Sequence, residues 1–255
     1  MEKLQYGIGL MPDLSTHGHG IDQLIYFLHG FMLLLFVGWG IFLAYTLIRF
    51  RARAGHKANY ESLKSKLPKY AEVAVVAFEV FLLVGLSMPV WNSYKSDPPD
   101  EKEALRVRVV GQQFAWYIHY AGEDKKFGRT DSKLISDFNP LGIDSKDPAS
   151  EDDFYSLRNF NLPVGKPIIA EITSKDVIHS FGVPVLRVKQ DATPGITVPI
   201  WFTAKETGEF EIICSQLCGI GHSTMGGKVH VQKPEDFKKW WDEQERPYKK
   251  STASL

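Results

Sequence analysis

Residues 214–225 read CSQLCGIGHSTM. The stretch holds both cysteines of the chain, Cys214 and Cys218, together with His222 and Met225. GEFEIIC runs into it at Cys214 and GGKVHVQ follows it. In both runs apolar and polar residues largely alternate, which marks half-buried strands. The stretch therefore reads as a loop joining two strands. Four chemistries suit such a loop: a disulfide, a zinc site, a reactive thiol or a copper site.

Strand-like sequence extends outward from the loop. LRVRVV (105–110) alternates, and FAWYIHY (114–120) is rich in aromatics. KPIIAEIT (166–173), GVPVLRVK (182–189) and GITVPIWFTA (195–204) follow, separated by Gly and Pro turns. Short strands at close spacing predict a sandwich or barrel over residues 96–255. The break SDPPDEKE from Ser96 is a linker. One long polar segment, 122–159, interrupts the pattern and reads as a solvated insertion; its acidic run Glu151, Asp152, Asp153 is suited to steering a basic partner. PEDFKKWWDEQERP, with Pro234 first and Phe237, Trp240 and Trp241 to one side, predicts a terminal helix.

Residues 1–95 differ in kind. Leu24–Phe50 carries no Asp, Glu or Lys, and Ala71–Tyr94 is also long enough to span and mostly apolar. A bilayer core needs about 20 apolar residues in a helix, so both runs predict membrane spans, at about 24–50 and 71–94. The link between them holds Arg51, Arg53, Lys57, Lys64, Lys66 and Lys69 against the single acid Glu61. Positive charge in a short loop marks the cytoplasmic side, which sends both termini and the β region outside. No cleavable signal peptide is evident. His17 and His19 read as solvated chain. Glu72 and Glu79 fall in the second run, where an acid is costly and by default functional. The chain has 30 basic and 30 acidic residues, a balance that does not point to nucleic acid.

The spacing C-x3-C allows zinc, but structural zinc has no use for a thioether. A disulfide closing so small a ring would stabilise little. A thiol nucleophile based on His222 would leave one thiol surplus. Two thiolates, an imidazole and a thioether form the soft set that selects copper. A further histidine has to come from another loop, and His179 in SKDVIHSFGVP suits it better than His119 or His230, which lie within strands. One blue-type copper needs one Cys and two His, so the extra thiolate fits two coppers sharing both sulfurs.

GQQFAWYIHY, VIHSFGVPVLRVKQDATPG and CSQLCGIGHSTM together resemble subunit II of haem-copper cytochrome c oxidases, and the resemblance covers nearly the whole chain. It implies a membrane-anchored fold, a two-helix hairpin carrying an all-β cupredoxin (Greek-key barrel) domain with a dinuclear copper (CuA) centre. It also implies the ligands. Cys214 and Cys218 bridge both coppers, His179 and Met225 complete one, and His222 with the Gln216 carbonyl completes the other. Haem and CuB belong to the partner subunit I.

Cytochrome c, or a cytochrome c domain of another subunit, is the implied donor, and other oxidase subunits and membrane lipid are further partners. Oxygen reduction and proton pumping fall to subunit I. The copper loop itself serves equally a CuA subunit of another terminal reductase, such as a nitric oxide reductase. Gln216 stands where many members have Glu, so the carboxylate of the usual magnesium contact is missing. Phe114 takes the position of the Trp at which electrons come in, and Trp116 that of the second Trp. Glu72 matches an acid assigned to proton uptake, whereas Glu79 matches no family role. The expected location is a bacterial inner membrane.

Overall fold

The computed structural model describes residues 11–55, 57, 60–61 and 64–248. The start of the N-terminal segment (1–10) and the tail 249–255 lie outside the described residues. The chain forms two compact units, Met1–Gly18 with Pro98–Leu255, and His19–Asp97.

The second unit is helical. α1 spans Gly18–Arg49, and at ~1.5 Å per residue it exceeds the ~30 Å of a hydrocarbon core. The other long helix runs from Leu67 to Lys95 as α2 (Leu67–Phe81), a π-helical turn (Leu82–Ser87) and α3 (Met88–Lys95). Both helices are long and apolar enough to cross a membrane, and of their most apolar stretches only 0% and 6% is buried. A core helix of a soluble protein would be covered; here Leu34, Phe36, Trp39 and Ile41 all face outward. The rings of Phe31 and Phe78 meet at 4.5 Å, joining α1 to α2. The π-helical turn has a cause in Pro89, which lacks an N–H and clashes with the carbonyl four residues back. Ser87 Oγ donates to Leu82 O at 3.1 Å within that turn.

The β unit has ten strands: β1 (Leu105–Gln112), β2 (Ala115–Tyr120), β3 (Phe154–Leu157), β4 (Asn159–Pro163), β5 (Ile168–Ser174), β6 (His179–Val183), β7 (Val188–Ala192), β8 (Val198–Phe202), β9 (Gly208–Cys214) and β10 (Gly227–Gln232). They form two five-stranded sheets, ordered β3-β2-β1-β5-β8 and β4-β10-β9-β6-β7. The alternation of β1 places Val107 and Val109 inward with no exposure. Its outward Arg106 and Arg108 both bond Glu171 of the neighbouring β5. Trp116, Ile118, Phe160, Ile172, Phe181 and Leu186 fill the space between the sheets. Tyr120 Oη donates to Asn161 O at 3.0 Å and accepts from Asn161 N at 2.9 Å, tying β2 to β4. α4 (Pro234–Asp242) brings Trp240 and Trp241 edge-on to Tyr120. Two apolar helices and a two-sheet β domain are the fold class that the sequence implies.

Three details differ from the sequence reading. GVPVLRVK is not one strand: it breaks at Pro184 into a 3-10 turn, with Arg187 in the left-handed region at φ 53°. Proline cannot donate to a ladder, so the ladder ends there. Segment 122–159 is not wholly solvated either. Ile143 and Phe154 are buried, and its last residues form β3 against β2. Two acids of its acidic run are spent internally: Asp153 is fully buried 2.9 Å from His119, and Asp152 accepts the N–H groups of Glu123 and Asp124. Short polar side chains here bond backbone, which a turn-rich composition hides. Finally, residues ahead of α1 belong to the β unit. Leu14 is 4% exposed in its core, with Leu14 N bonded to Val185 O and Leu14 O to Lys205 N, both at 2.8 Å.

Truncating Leu14 to Ala removes a buried side chain pinned on both sides. The expected cost is about 2–3 kcal/mol, seen as a lower melting midpoint of the full chain in detergent. An unchanged midpoint would show that the segment is not part of the core.

Candidate metal centre

The centre sits where three strand ends meet. β6 runs antiparallel to β9, with Phe181 opposite Cys214, so His179 at the start of β6 lies beside the end of β9. The chain leaves β9 at Cys214, loops through Cys218, His222 and Met225, and returns as β10, which pairs back on β9. Ser215 N donates to Ser180 O at 3.0 Å and fixes where the loop departs. A 3-10 turn at His222–Thr224 then folds Met225 inward, to 2% exposure.

The ligand-type atoms of His179, Cys214 and Cys218 lie within 4.8 Å of one another. Both cysteines are free, their sulfurs 3.9 Å apart. Cys218 Sγ is 3.7 Å from Met225 Sδ and 3.7 Å from His222 Nδ1. Cys214 Sγ lies 3.3 Å from the carbonyl of Gln216. All six residues singled out in the sequence as copper ligands thus meet in one cluster. Glu72 does not join it; that residue stands on α2 in the helical unit.

Each ligand-type group is held from behind. His179 is fully buried, and its Nε2 meets Asp176 Oδ1 at 2.9 Å. Its Nδ1 is buried and has no hydrogen-bond partner among the described residues. The ring packs edge-on to Trp116, 5.8 Å between centroids. Gly111 leaves room for both, since a Cβ there would come within 2.8 Å of His179 Cδ2 and 3.1 Å of Trp116 Cζ3. The Asp176 carboxyl is pushed up by burial, yet hydrogen bonds from Gln113 N, His179 and Val177 N hold it below its usual range.

Phe114 and Trp116 occupy different places. Trp116 is fully buried and is a core residue. Phe114 is half-buried and rests on the loop, because Cβ atoms at Gly221 and Gly219 would meet its ring at 2.5 and 3.1 Å. Gly219 also sits at φ +136°, so that backbone calls for glycine. Gln113 bridges the two segments, its Nε2 donating to Cys218 O at 2.7 Å. Gln216 is exposed and contributes a neutral side chain. Asp176 and Gln113 were not singled out in the sequence. The one signal available was their placement beside His179 and Phe114.

Comparison with known proteins bears on this arrangement. The family profile "Cytochrome C oxidase subunit II, periplasmic domain" matches residues 105–232, from β1 to β10. The alternative cytochrome c oxidase subunit 2 of Bradyrhizobium diazoefficiens is 33% identical over 236 residues, 91% of this chain and 82% of that protein. Cytochrome c oxidase subunit 2 of Cereibacter sphaeroides is 29% identical over 252 residues, 93% of this chain and 80% of that protein. Among solved structures, the periplasmic domain of cytochrome oxidase subunit II from Bradyrhizobium japonicum is 30% identical, covering 54% of this chain and 91% of that one at a TM-score of 0.40. A periplasmic-domain match and two apolar helices fit an inner-membrane protein, and the His/Cys/Cys cluster fits a copper site. From the profile match and the near full-length relatives together, the chain belongs to the cytochrome c oxidase subunit II family.

Proposed function

We propose that this chain receives electrons for a respiratory cytochrome c oxidase, and that His179, Cys214, Gln216, Cys218, His222 and Met225 hold a dinuclear copper centre. The observation that carries the reading is the cluster itself: two free thiols 3.9 Å apart, flanked by imidazoles and a thioether. The Nδ1 of His179 is buried with no hydrogen-bond partner among the described residues, which is costly unless something binds it. The two thiolates and the thioether are soft donors, and imidazole suits copper as well. When bound, the two coppers supply a one-electron carrier between cytochrome c, or a cytochrome c domain, and the haem of subunit I, where oxygen is reduced and protons are pumped.

The chain's own residues prepare that role. Asp176 holds His179 by Nε2 and leaves Nδ1 as the coordinating atom. Cys214 and Cys218 would hold the copper through their sulfurs, and Gln216 through its backbone carbonyl. Phe114, half-exposed over the loop, is the residue through which electrons come in, and Trp116 backs the His179 ring. Gln216 brings no carboxylate to the position from which many members of the family reach a magnesium site.

The place of Leu14 supports a topology with both ends on one side. Residues 11–18 and the β unit form one body, so two crossings must return the chain to the side it left. With the basic link between the helices facing the cytoplasm, both termini and the β unit lie outside a bacterial inner membrane. Glu72, on α2, is the proton-uptake candidate.

Copper added to the full chain should bind as two ions, with hyperfine structure from one electron shared between them. Binding of one ion, or a preference for zinc, would refute the centre. Cys218→Ser should abolish the shared-electron signature. Glu72→Ala in the assembled oxidase should slow proton uptake, and an unchanged rate would remove Glu72 from that role.

The metal-free chain offers a pH test. Burial and the neighbouring Cys214 sulfur push the Cys218 thiol from 9.0 up to about 11. The folded state thus favours the protonated thiol, and its contribution is full below pH 9 and is lost as pH rises to about 11. Melting midpoints measured across that window should fall less in Cys218→Ser than in the unsubstituted chain.

A further inference from the structure

Arg158 belongs to none of the roles assigned so far, yet its side chain lies against the metal loop. It joins β3 to β4 with φ at 62°. Its backbone is fully used, Arg158 N donating to Trp116 O at 2.8 Å and Arg158 O accepting from Lys228 N at 2.7 Å. Its guanidinium takes three carbonyls at once. Nη1 donates to Thr224 O at 3.3 Å and to Gly226 O at 3.2 Å, and Nη2 donates to Phe114 O at 2.6 Å.

The identity of those carbonyls is the point. Thr224 and Gly226 are the two chain neighbours of Met225. Phe114 is the residue whose ring rests on Gly219 and Gly221, earlier in the same loop. One planar side chain therefore ties both flanks of Met225 to the segment that supports the rest of the loop. The backbone bonds nearest Met225 are short-range: Met225 N to His222 O at 3.2 Å and Gly226 N to Thr224 O at 2.9 Å. They shape the turn, whereas Arg158 anchors it across the sheet. The same side chain lines a groove of about 680 Å³ onto which Cys214, His222 and Met225 open.

We propose that Arg158 is a positioning residue of the metal centre: by clamping Thr224 and Gly226 to Phe114 it fixes where the Met225 thioether stands. This rests on the copper reading given above. A thioether is a weak, long ligand whose distance is set more by the protein than by the bond, and that distance tunes the potential of the site. A loop free to relax at residues 224–226 would hold the thioether loosely and release the metal faster.

Two properties mark the clamp as geometric. The guanidinium is a rigid fork with five donors, able to span separated carbonyls, and a lysine ammonium cannot reproduce that span. The residue is solvent-exposed, so its bare charge is screened. The backbone itself does not ask for arginine. In the left-handed region Asn is tolerated more readily than other side-chain-bearing residues, so Arg158→Asn suits the chain path while removing the fork.

The test uses the full chain in detergent, unsubstituted and as Arg158→Asn and Arg158→Lys. In the metal-free protein, amide hydrogen exchange at Met225 and Gly226 should quicken in both variants while the melting midpoint holds. In the copper-loaded protein, loss of copper to a chelator should quicken about tenfold, the range typical of residues that orient ligands. The reduction potential and the copper hyperfine pattern should shift with it. Wild-type exchange, copper loss and potential in Arg158→Asn would overturn the assignment. So would full rescue by Arg158→Lys, which keeps the charge and lacks the fork. If the unsubstituted chain takes up no copper, the copper reading fails, and exchange in the metal-free chain still decides whether Arg158 clamps the loop.

Discussion

A single carboxylate sets the geometry on which the β unit's chemistry depends. Asp176 accepts from His179 Nε2 and Val177 N through Oδ1, and from Gln113 N through Oδ2. With its carboxyl held below the usual range, it is ionised at neutral pH and can only accept. That settles the His179 tautomer, since the ring must present its N–H to the carboxylate. It also anchors the turn after β1, and Gln113 passes that order on by its bond to Cys218 O. One charge thus organises the start of β6, the end of β1 and the metal loop. These segments are far apart in sequence.

Burial around the cluster is uneven. His179, Cys218 and Met225 are buried, whereas Cys214 and His222 are partly open. The dry side is the core between the sheets, with Trp116 and Phe181 behind the histidine. The wet side is the groove floored by the loop. A site built this way keeps the Met225 thioether, its weakest donor, where packing can dictate its position. Cys214 and His222 face the groove, where approach of another molecule is physically open.

How far the sequence revealed this follows from the range of each interaction. β1 is legible because Val107 and Val109 alternate with Arg106 and Arg108, a purely local pattern. The metal cluster is legible because five of its six members fall within twelve residues, and because soft donors in such density have few other uses. His179 required an argument about which histidine stood at a strand end. Leu14, Asp153 and Arg158 stayed hidden for a shared reason. Each is an ordinary residue locally, and its role is set by partners such as Lys205, His119 and Thr224 that the chain meets only after folding. Pro184 was readable in principle, since a residue without an N–H cannot sit within a central ladder. The apolar residues around it masked the break.

The placement of Leu14 has a consequence for how the molecule is made. Asp13 pairs with Lys205, 192 residues later in the chain. The seat for Leu14 between Val185 and Lys205 therefore stays vacant through most of synthesis. Segments that lie on either side of the long helices in sequence thus build one apolar core, and that core cannot close until residue 205 has been made.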